Sequence, residues 1–497
     1  MGPSLVSEGR IGRDVDAART EQFDVAVIGG GIYGIALAFE SARRGFRTVL
    51  LERDDFGGGT SRNWLRILHG GLRYLQTLDL HRFRESVAER SWFLRNFPEL
   101  VDPLPCLMPL YGPGLRRPSA FRMAFMADSM LDWRRNDGLA PSHRLPAGRV
   151  LDVEDTARLF PAVDRRGLLG GALWYDAIAA CGPRLVIELL RWACAAGTLA
   201  LNRVEAQRLL LDGGLVAGVA ALDRVTGAEL IVRAPVVVNA AGPGSRGLAA
   251  DLDRDVPALF RPSLAFNLLL DRPPLAEVAL ALAPRRPRSQ TFFLCPCRDR
   301  MFAGTWHAPW TGPVHDPKPQ PAMVDAILAE LNAAVRGLDL VRRDVLGIYA
   351  GLLPATREGT TDLAVREIIH DHGAGGGPDG LFSISGVKFT TARLVAEKTL
   401  HRAFERRGRH LPPVRHVARP SAHSVPPADR FIHLARTQPS AARRLIETLM
   451  REEAAASFDD VIYRRTDWGD DPAATAAART VLERAPAPAK ETTIRPA

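Results

Sequence analysis

The stretch DVAVIGGGIYGIALAFESARRGFRTVLLE, residues 24 to 52, allows few folds. A short apolar run ends in Gly29, Gly31 and Gly34 at GxGxxG spacing, a helical pattern follows, and a second apolar run closes on Glu52. Glycines at this spacing let the backbone of a strand-to-helix turn approach a pyrophosphate, while the unpaired N–H groups and positive end of the helix face the anion. A carboxylate ending the second strand can accept hydrogen bonds from ribose hydroxyls. The glycines alone would also suit a tight turn with no ligand. Strand, turn, helix and terminal carboxylate in this order point to a dinucleotide.

One such unit leaves most of the 497 residues to other domains. A second apolar return, VVVNAAGPGS at 236 to 245, again ends in a glycine turn. A single well-formed fingerprint inside an interrupted nucleotide fold favours an embedded flavin over a nicotinamide. The expected architecture is α/β, a Rossmann-like FAD-binding domain with an interleaved mixed or antiparallel-sheet substrate domain and a small helical C-terminal domain. The FAD-binding segments fall at about 21–100, 165–255 and 340–400, the substrate domain at 101–164 and 256–339. A flexible leader (1–20), a linker (401–425), the C-terminal helices (426–485) and a tail (486–497) complete the division. Helical spacing predicts helices over 79–97, 119–135 and 183–197, and LAFNLLLD, QTFFLCPC and RMFAGTWH read as strands.

The net charge of +9 is spread too thinly for nucleic acid: no zinc-finger spacing or aromatic-interleaved basic tract occurs, and PRRPRSQ at 284 to 290 reads as a solvated loop. It suits an anionic substrate or a surface near anionic lipid. Five cysteines, an odd number without a regular framework, fit a reducing compartment. No metal site is expected. With no secretion-type apolar core and no 18-residue apolar span, the expected location is cytoplasmic, at most peripheral to the inner face of a membrane.

RILHGGLRYLQ, residues 66 to 76, sets a histidine, two glycines, an arginine and a tyrosine in an apolar stretch, at once a loop near the ligand and the first turn of a helix. With DVAVIGGGIYG, LLERDDFGGGTS, VVNAAGPGS and SGVKFTTARLVAE, it resembles the FAD-dependent glycerol-3-phosphate dehydrogenases of the D-amino-acid-oxidase-like flavoprotein superfamily. The resemblance implies non-covalent FAD, oxidation of a secondary alcohol to a ketone by hydride transfer, and electron delivery to a quinone or other acceptor, oxygen included. It also implies site residues. Gly29, Gly31, Gly34 and Glu52 would hold the adenosine diphosphate end, with Val204 beside the adenine. Thr60 and Ser61 would line the pyrophosphate or flavin approach, and Ala240, Ala241 and Gly242 would pack near the cofactor. His69, Gly70 and Gly71 would lie beside the isoalloxazine, and Gly386, Lys388, Phe389 and Thr390 would approach the flavin head. Arg73 and Tyr74 would form a substrate wall, with Arg366 helping to hold an anionic substrate.

Three departures bear on the substrate. GLLP at 351 to 354 puts Leu353 where the family has an arginine, removing a bidentate, permanently charged phosphate partner. RNWLR brings Asn63 and Trp64 towards the pocket, and GTWH places His307 at a family aspartate position. Removal of a hydroxyl proton needs a base, and His69 and His307 are the candidates, with Lys388 able to stabilise negative charge on the reduced flavin. Glycerol 3-phosphate, a related polyol or sugar phosphate, a non-phosphorylated alcohol, and an amine or amino sugar all stay open. Arg464 and Arg465, remote from the nucleotide motifs, read as a domain-docking pair.

Overall fold

The structure is a computed structural model that describes residues 9–76, 79–112, 117–132, 135–284 and 289–483; the side chains of Arg73 and Gln76 lie outside that description. Six strands form the nucleotide-binding sheet in the order Ile368–Asp371, Leu381–Ser385, Val236–Asn239, Val25–Ile28, Thr48–Leu51 and Thr198–Leu201. All neighbours are parallel except the first two. VAVI and TVLL are buried at every position, as strands covered on both faces must be. Alternation divides their side chains between two cores. Val25 and Val27 pack with the helices Ile32–Ala42, Gly182–Ala195 and Ala392–Glu405, whereas Ala26 and Ile28 pack with the three-stranded sheet Val204–Asp212, Leu215–Asp223 and Glu229–Arg233. The chain continues to opposite sides of Val25–Ile28, and such a reversal opens a crevice beyond the carboxyl ends of the strands.

The second sheet has nine strands and is mixed. Its order is Val345–Pro354, Pro262–Leu270, Arg300–Pro309, Phe292–Cys297, Ala279–Leu282, Val101–Tyr111, Leu168–Ala179 and Ile67–Leu68, with Arg149–Leu151 also on Leu168–Ala179. Its one parallel pair joins Ala279–Leu282 to Val101–Tyr111. Leu264, Phe266, Leu268 and Leu270 pack with Ile327, Leu328 and Leu331 of the helix Pro321–Ala334. On the opposite face, Leu269, Phe302 and Tyr349 pack with Leu65 and Ile67, which binds the sheet to the segment leading into His69.

Three expectations are corrected. Leu168–Ala179 and Val345–Pro354, placed with the FAD-binding segments 165–255 and 340–400, are strands of the large sheet, held by long antiparallel pairings with Val101–Tyr111 and Pro262–Leu270. Ala279–Leu282 is a further strand between LAFNLLLD and QTFFLCPC, absent from the strands expected there because proline-rich sequence surrounds it. The leader is docked from residue 9 onward: Ile11 is buried and donates its N–H to Glu452 O (2.9 Å), and Val15–Thr20 is a helix capped by Asp14. Residues 1–8 and 484–497 lie outside the described residues, as do 285–288 of the basic cluster.

The helices Ala428–Thr437, Pro439–Glu452 and Pro472–Glu483 enclose Phe431 and Trp468, stacked at 3.5 Å. Arg465 is the docking residue read in the sequence. Fully buried, it donates to Asp55 Oδ1 (2.9 Å), to Glu453 O (2.8 Å) and to Asp460 O (3.1 Å). The helix Ala392–Glu405 runs into the segment 401–425 expected as a linker; beyond the turn at 406–408 the segment is irregular yet pinned, accepting from Trp192 Nε1 at Val417 O (3.0 Å).

Candidate active site and cofactor cleft

The nucleotide turn is built by close approach. Gly29 has φ +108°, and a Cβ there would stand 2.6 Å from Ala240 O; a Cβ on Gly34 would collide with Gly29 O. The strand, the returning Ala240 and the helix Ile32–Ala42 can therefore meet only without these side chains. Gly31 precedes the helix, whose first N–H, that of Ile32, donates to Ser61 Oγ (2.8 Å). Glu52 accepts from Gly30 N (2.6 Å) and Asp54 N (2.8 Å), and its burial pushes its carboxyl above the usual range. Val204 donates its N–H to the main-chain carbonyl of Glu52 (2.8 Å), so it adjoins the backbone at the end of Thr48–Leu51. Beyond Ala240, an added Cβ on Gly242 would meet nothing within 4 Å.

A second glycine turn faces the first. Tyr33 OH donates to Lys388 O (2.9 Å) and accepts from Lys388 N (3.2 Å), and a Cβ on Gly386 would collide with that hydroxyl. Gly386, Lys388, Phe389 and Thr390 thus sit just before the helix Ala392–Glu405. Phe389 stacks on Trp64 at 3.8 Å, nearly parallel. Thr60 Oγ1 donates to Leu352 O (3.2 Å) and Asn63 Nδ2 to Ala350 O (2.7 Å), which ties the Thr60–Arg62 turn to the large sheet.

His69 lies where Ile67–Leu68 ends on the strand carrying Asp176. Asp176 Oδ2 accepts from His69 Nδ1 (3.0 Å) and Trp174 Nε1 (3.2 Å), and Oδ1 from Gly70 N (2.7 Å). Burial opposes ionisation of Asp176, but the hydrogen bond and charge of His69, together with Arg90, outweigh it and hold the carboxyl below its usual range. An ionised carboxylate accepts only, so Nδ1 carries a hydrogen, and whenever the ring is neutral Nε2 carries the lone pair. The ring leans on Phe293 (5.2 Å), and the His69 side chain is 47% exposed against 4% for Asp176. Asp176, an essential part of this dyad, is absent from the sequence-based set because a lone carboxylate within LWYDAIA forms no local pattern.

The other residues divide into three groups. Lys388 Nζ lies over the Tyr74 ring at 4.0 Å, and Arg82 flanks the same ring at 4.7 Å. Arg366 is exposed next to Val365, whose carbonyl accepts from Arg82 (3.1 Å), which brings it to the rim of this group. Arg73 lies on the helix Leu72–Gln76, its side chain outside the described residues. His307 pairs in register with Ala265, which pairs with Gly351, so it shares the sheet face on which Gly351 meets Thr60. Burial holds its imidazole below the usual histidine value. The glycines of HGG have packing reasons: a Cβ on Gly70 would overlap the Arg90 guanidinium, and one on Gly71 would crowd the Tyr74 ring at 2.9 Å. Arg357 does not replace the arginine missing at Leu353; it is exposed and pairs with Asp362 (3.4 Å).

The cleft fits FAD. Its diphosphate would meet a helix N-terminus behind side-chain-free backbone, its ribose would meet Glu52, and its ring system would meet Trp64, Phe389 and Gly386. Trp64 Nε1, within that last group, and Ser385 Oγ, next to Gly386, are buried with no hydrogen-bond partner among the described residues. Among the described residues no cluster of three or more histidine, cysteine or acidic side chains could hold a metal, and no helix is long and apolar enough to cross a membrane.

Residues 24–402 match the FAD dependent oxidoreductase family. The chain is 31% identical to glycerol-3-phosphate dehydrogenase 1 of Mycobacterium tuberculosis over 489 residues, covering 90% of this chain and 91% of the relative. It is 28% identical to glycerol-3-phosphate dehydrogenase of Synechocystis over 425 residues, 82% and 74% of the two chains. In fold it is similar to the X-ray structure of glycerol-3-phosphate dehydrogenase from Bacillus halodurans complexed with FAD, with a TM-score of 0.66 and 21% identity over 94% of this chain and 95% of that one. This chain belongs to the FAD dependent oxidoreductase family as an enzyme related to the glycerol-3-phosphate dehydrogenases, with FAD as its cofactor.

Proposed function

We propose that the chain oxidises the secondary hydroxyl of glycerol 3-phosphate, or of a closely related polyol phosphate, to the ketone and passes the electrons to a quinone or another acceptor. The observation that carries this reading is the His69–Asp176 pair beside the residues that line the cofactor cleft. Bound FAD supplies the acceptor for the hydride. His69 Nε2 takes the hydroxyl proton, and Asp176 fixes the tautomer and offsets the positive charge that the ring gains. Among the described residues His307 has no carboxylate partner, so it is assigned to the pocket wall rather than to proton removal. Lys388, with Arg82 and Arg366 at the rim, supplies positive charge for an anionic substrate and for charge developing on the reduced cofactor. Relatives matched over most of this chain are named as glycerol-3-phosphate dehydrogenases, which supports the same class of substrate.

Leu353 favours a second reading, a non-phosphorylated alcohol, because an apolar side chain replaces a phosphate clamp. Anaerobic mixing of the FAD-loaded enzyme with glycerol 3-phosphate, glycerol, sugar alcohols and amines separates the readings. Bleaching of the flavin should be fastest with the phosphorylated polyol, and reduction by amines alone would overturn alcohol oxidation. Leu353→Arg should lower KM for the phosphorylated substrate by roughly tenfold or more, the value of one charge-assisted hydrogen bond. An unchanged or raised KM would favour the non-phosphorylated substrate.

A further inference from the structure

The Arg90 guanidinium is buried at the back of the dyad, on the helix Leu80–Asn96. Its Nη1 donates to Tyr175 O (2.9 Å) and lies 3.7 Å from Asp176 Oδ1, and its Nη2 lies 3.5 Å from Asp132 Oδ2. It also fills the space a Cβ on Gly70 would need, so the residue after His69 must be glycine for Arg90 to stand there. Asp132 follows the helix Pro118–Leu131 and is itself nearly buried. A line of alternating charge thus runs Asp132, Arg90, Asp176, His69, drawn from four separate elements, and only its last member is open to the cleft.

We propose that Arg90 is the positioning residue of the oxidation, holding the Asp176 carboxylate against His69 Nδ1 and Gly70 N, and that Asp132 is the counter-charge that sets how much of the Arg90 charge reaches the dyad. This rests on the reading of His69 as the base. The other groups around the line are accounted for. Arg135 and Asp128 face Asp132 from its own segment, and Glu89, beside Arg90 on the helix, turns to Arg393 (3.1 Å). Cys106 and Cys295 lie near Asp176, and burial pushes both thiols up, so they add no charge. Burial also pushes the Asp132 carboxyl up to about 6, against the pull of Arg90 and Arg135, so above that pH it faces Arg90 ionised.

The two neighbours of Arg90 have opposite signs, and this makes the idea testable. In Arg90→Met, Asp176 acts on the imidazole without a competing cation, so a proton on His69 is favoured and the acidic limb of flavin reduction against pH moves to higher pH. In Asp132→Asn, the Arg90 charge reaches the dyad with less compensation, and the limb moves to lower pH. Displacements of several tenths of a pH unit to about one unit are expected, the smaller from Asp132→Asn, since Arg90 acts on His69 through one intervening group and Asp132 through two. KM should hardly change in either variant, because neither residue lies on the substrate wall, and Arg90→Lys should restore most of the wild-type profile. The NMR titration of the His69 ring, assigned through His69→Gln, should shift in the same two directions. Profiles that stay fixed, or that move in the same direction in both variants, would overturn the proposal. If Arg90→Met does not fold, Asp132→Asn and Arg90→Lys still decide it. Wild-type flavin reduction in His69→Gln would instead overturn the base assignment, a separate outcome.

Discussion

At the scale of single residues the proposed chemistry rests on a histidine legible in the sequence and a carboxylate that is not. His69 stands in a recognisable string, whereas its partner is 107 residues away and becomes its neighbour only when Ile67–Leu68 pairs with Ala177 and Ile178. The glycines around His69 could be read as room for the flavin. Their contacts with Arg90 and Tyr74 give them a packing role that no local pattern announces. Asp176→Asn tests the pairing: the amide no longer offsets the charge the ring gains, and by presenting an N–H to Nδ1 it moves the ring hydrogen to Nε2, so the base is lost in nearly all of the population. Flavin reduction should slow by roughly 10²- to 10⁴-fold, the usual contribution of a positioned base, with FAD binding retained. Stopped-flow reduction alongside a binding titration checks this, and an unaltered rate would remove Asp176 from the mechanism.

At the scale of elements, the sequence reveals those whose apolar pattern is unbroken. VAVI, TVLL and the amphipathic helices near 79–97 and 183–197 are found within a few residues of their expected ends. Val101–Tyr111 was hidden by Pro103, Pro105 and Pro109, residues that ordinarily argue against a strand. Their shared parity leaves the missing N–H groups on one edge, so pairing with Leu168–Ala179 survives along the other. Polar links between elements were equally invisible. His372 joins Asp253, at the end of the helix Ser245–Leu252, to Ser383 in the sheet, at 2.7 Å and 2.9 Å. Burial first, then the neighbouring His370 and Arg254, hold this imidazole below the usual histidine value against the pull of Asp253. The unfolded chain therefore takes up the proton before the folded one does. The stability contributed by neutral His372 is complete above the unfolded value of about 6.5 and is lost as pH falls through the lower folded value. Between pH 7 and 5 the wild type should lose stability at up to about 1.4 kcal/mol per pH unit on this account, and His372→Gln should show a shallower slope. Urea unfolding at several pH values measures both slopes, and equal slopes would show that the buried proton plays no part.

For the molecule as a whole, the C-terminal helices brace both large sheets. Arg465 and Glu453 grip the nucleotide-binding part through Asp55 and Arg184, while Asp470 and Asp471 hold Arg66 and Arg300 of the large sheet. That the Arg464–Arg465 pair docks a domain was readable from its distance to every nucleotide motif; the place where it docks was not, because Asp55 stands over four hundred positions away, just past Glu52. The link makes cofactor affinity a property of the whole chain. Arg465→Met leaves the buried Asp55 with the Asn202 amide (2.9 Å) and the more distant Arg464 guanidinium (3.7 Å), and removing one partner of a buried ion pair typically costs about 3–5 kcal/mol. Because Asp55 and Glu52 lie on one short turn, that loss should reach the cleft. The variant should release FAD at a lower denaturant concentration than the wild type, in step with unfolding of the C-terminal helices. Flavin fluorescence and the fluorescence of Trp468, buried in the C-terminal core, follow the two events separately. Coincident midpoints, both lowered, are the expected outcome. If the helices separate while FAD stays bound as tightly as before, the brace is mechanically independent of the cofactor cleft.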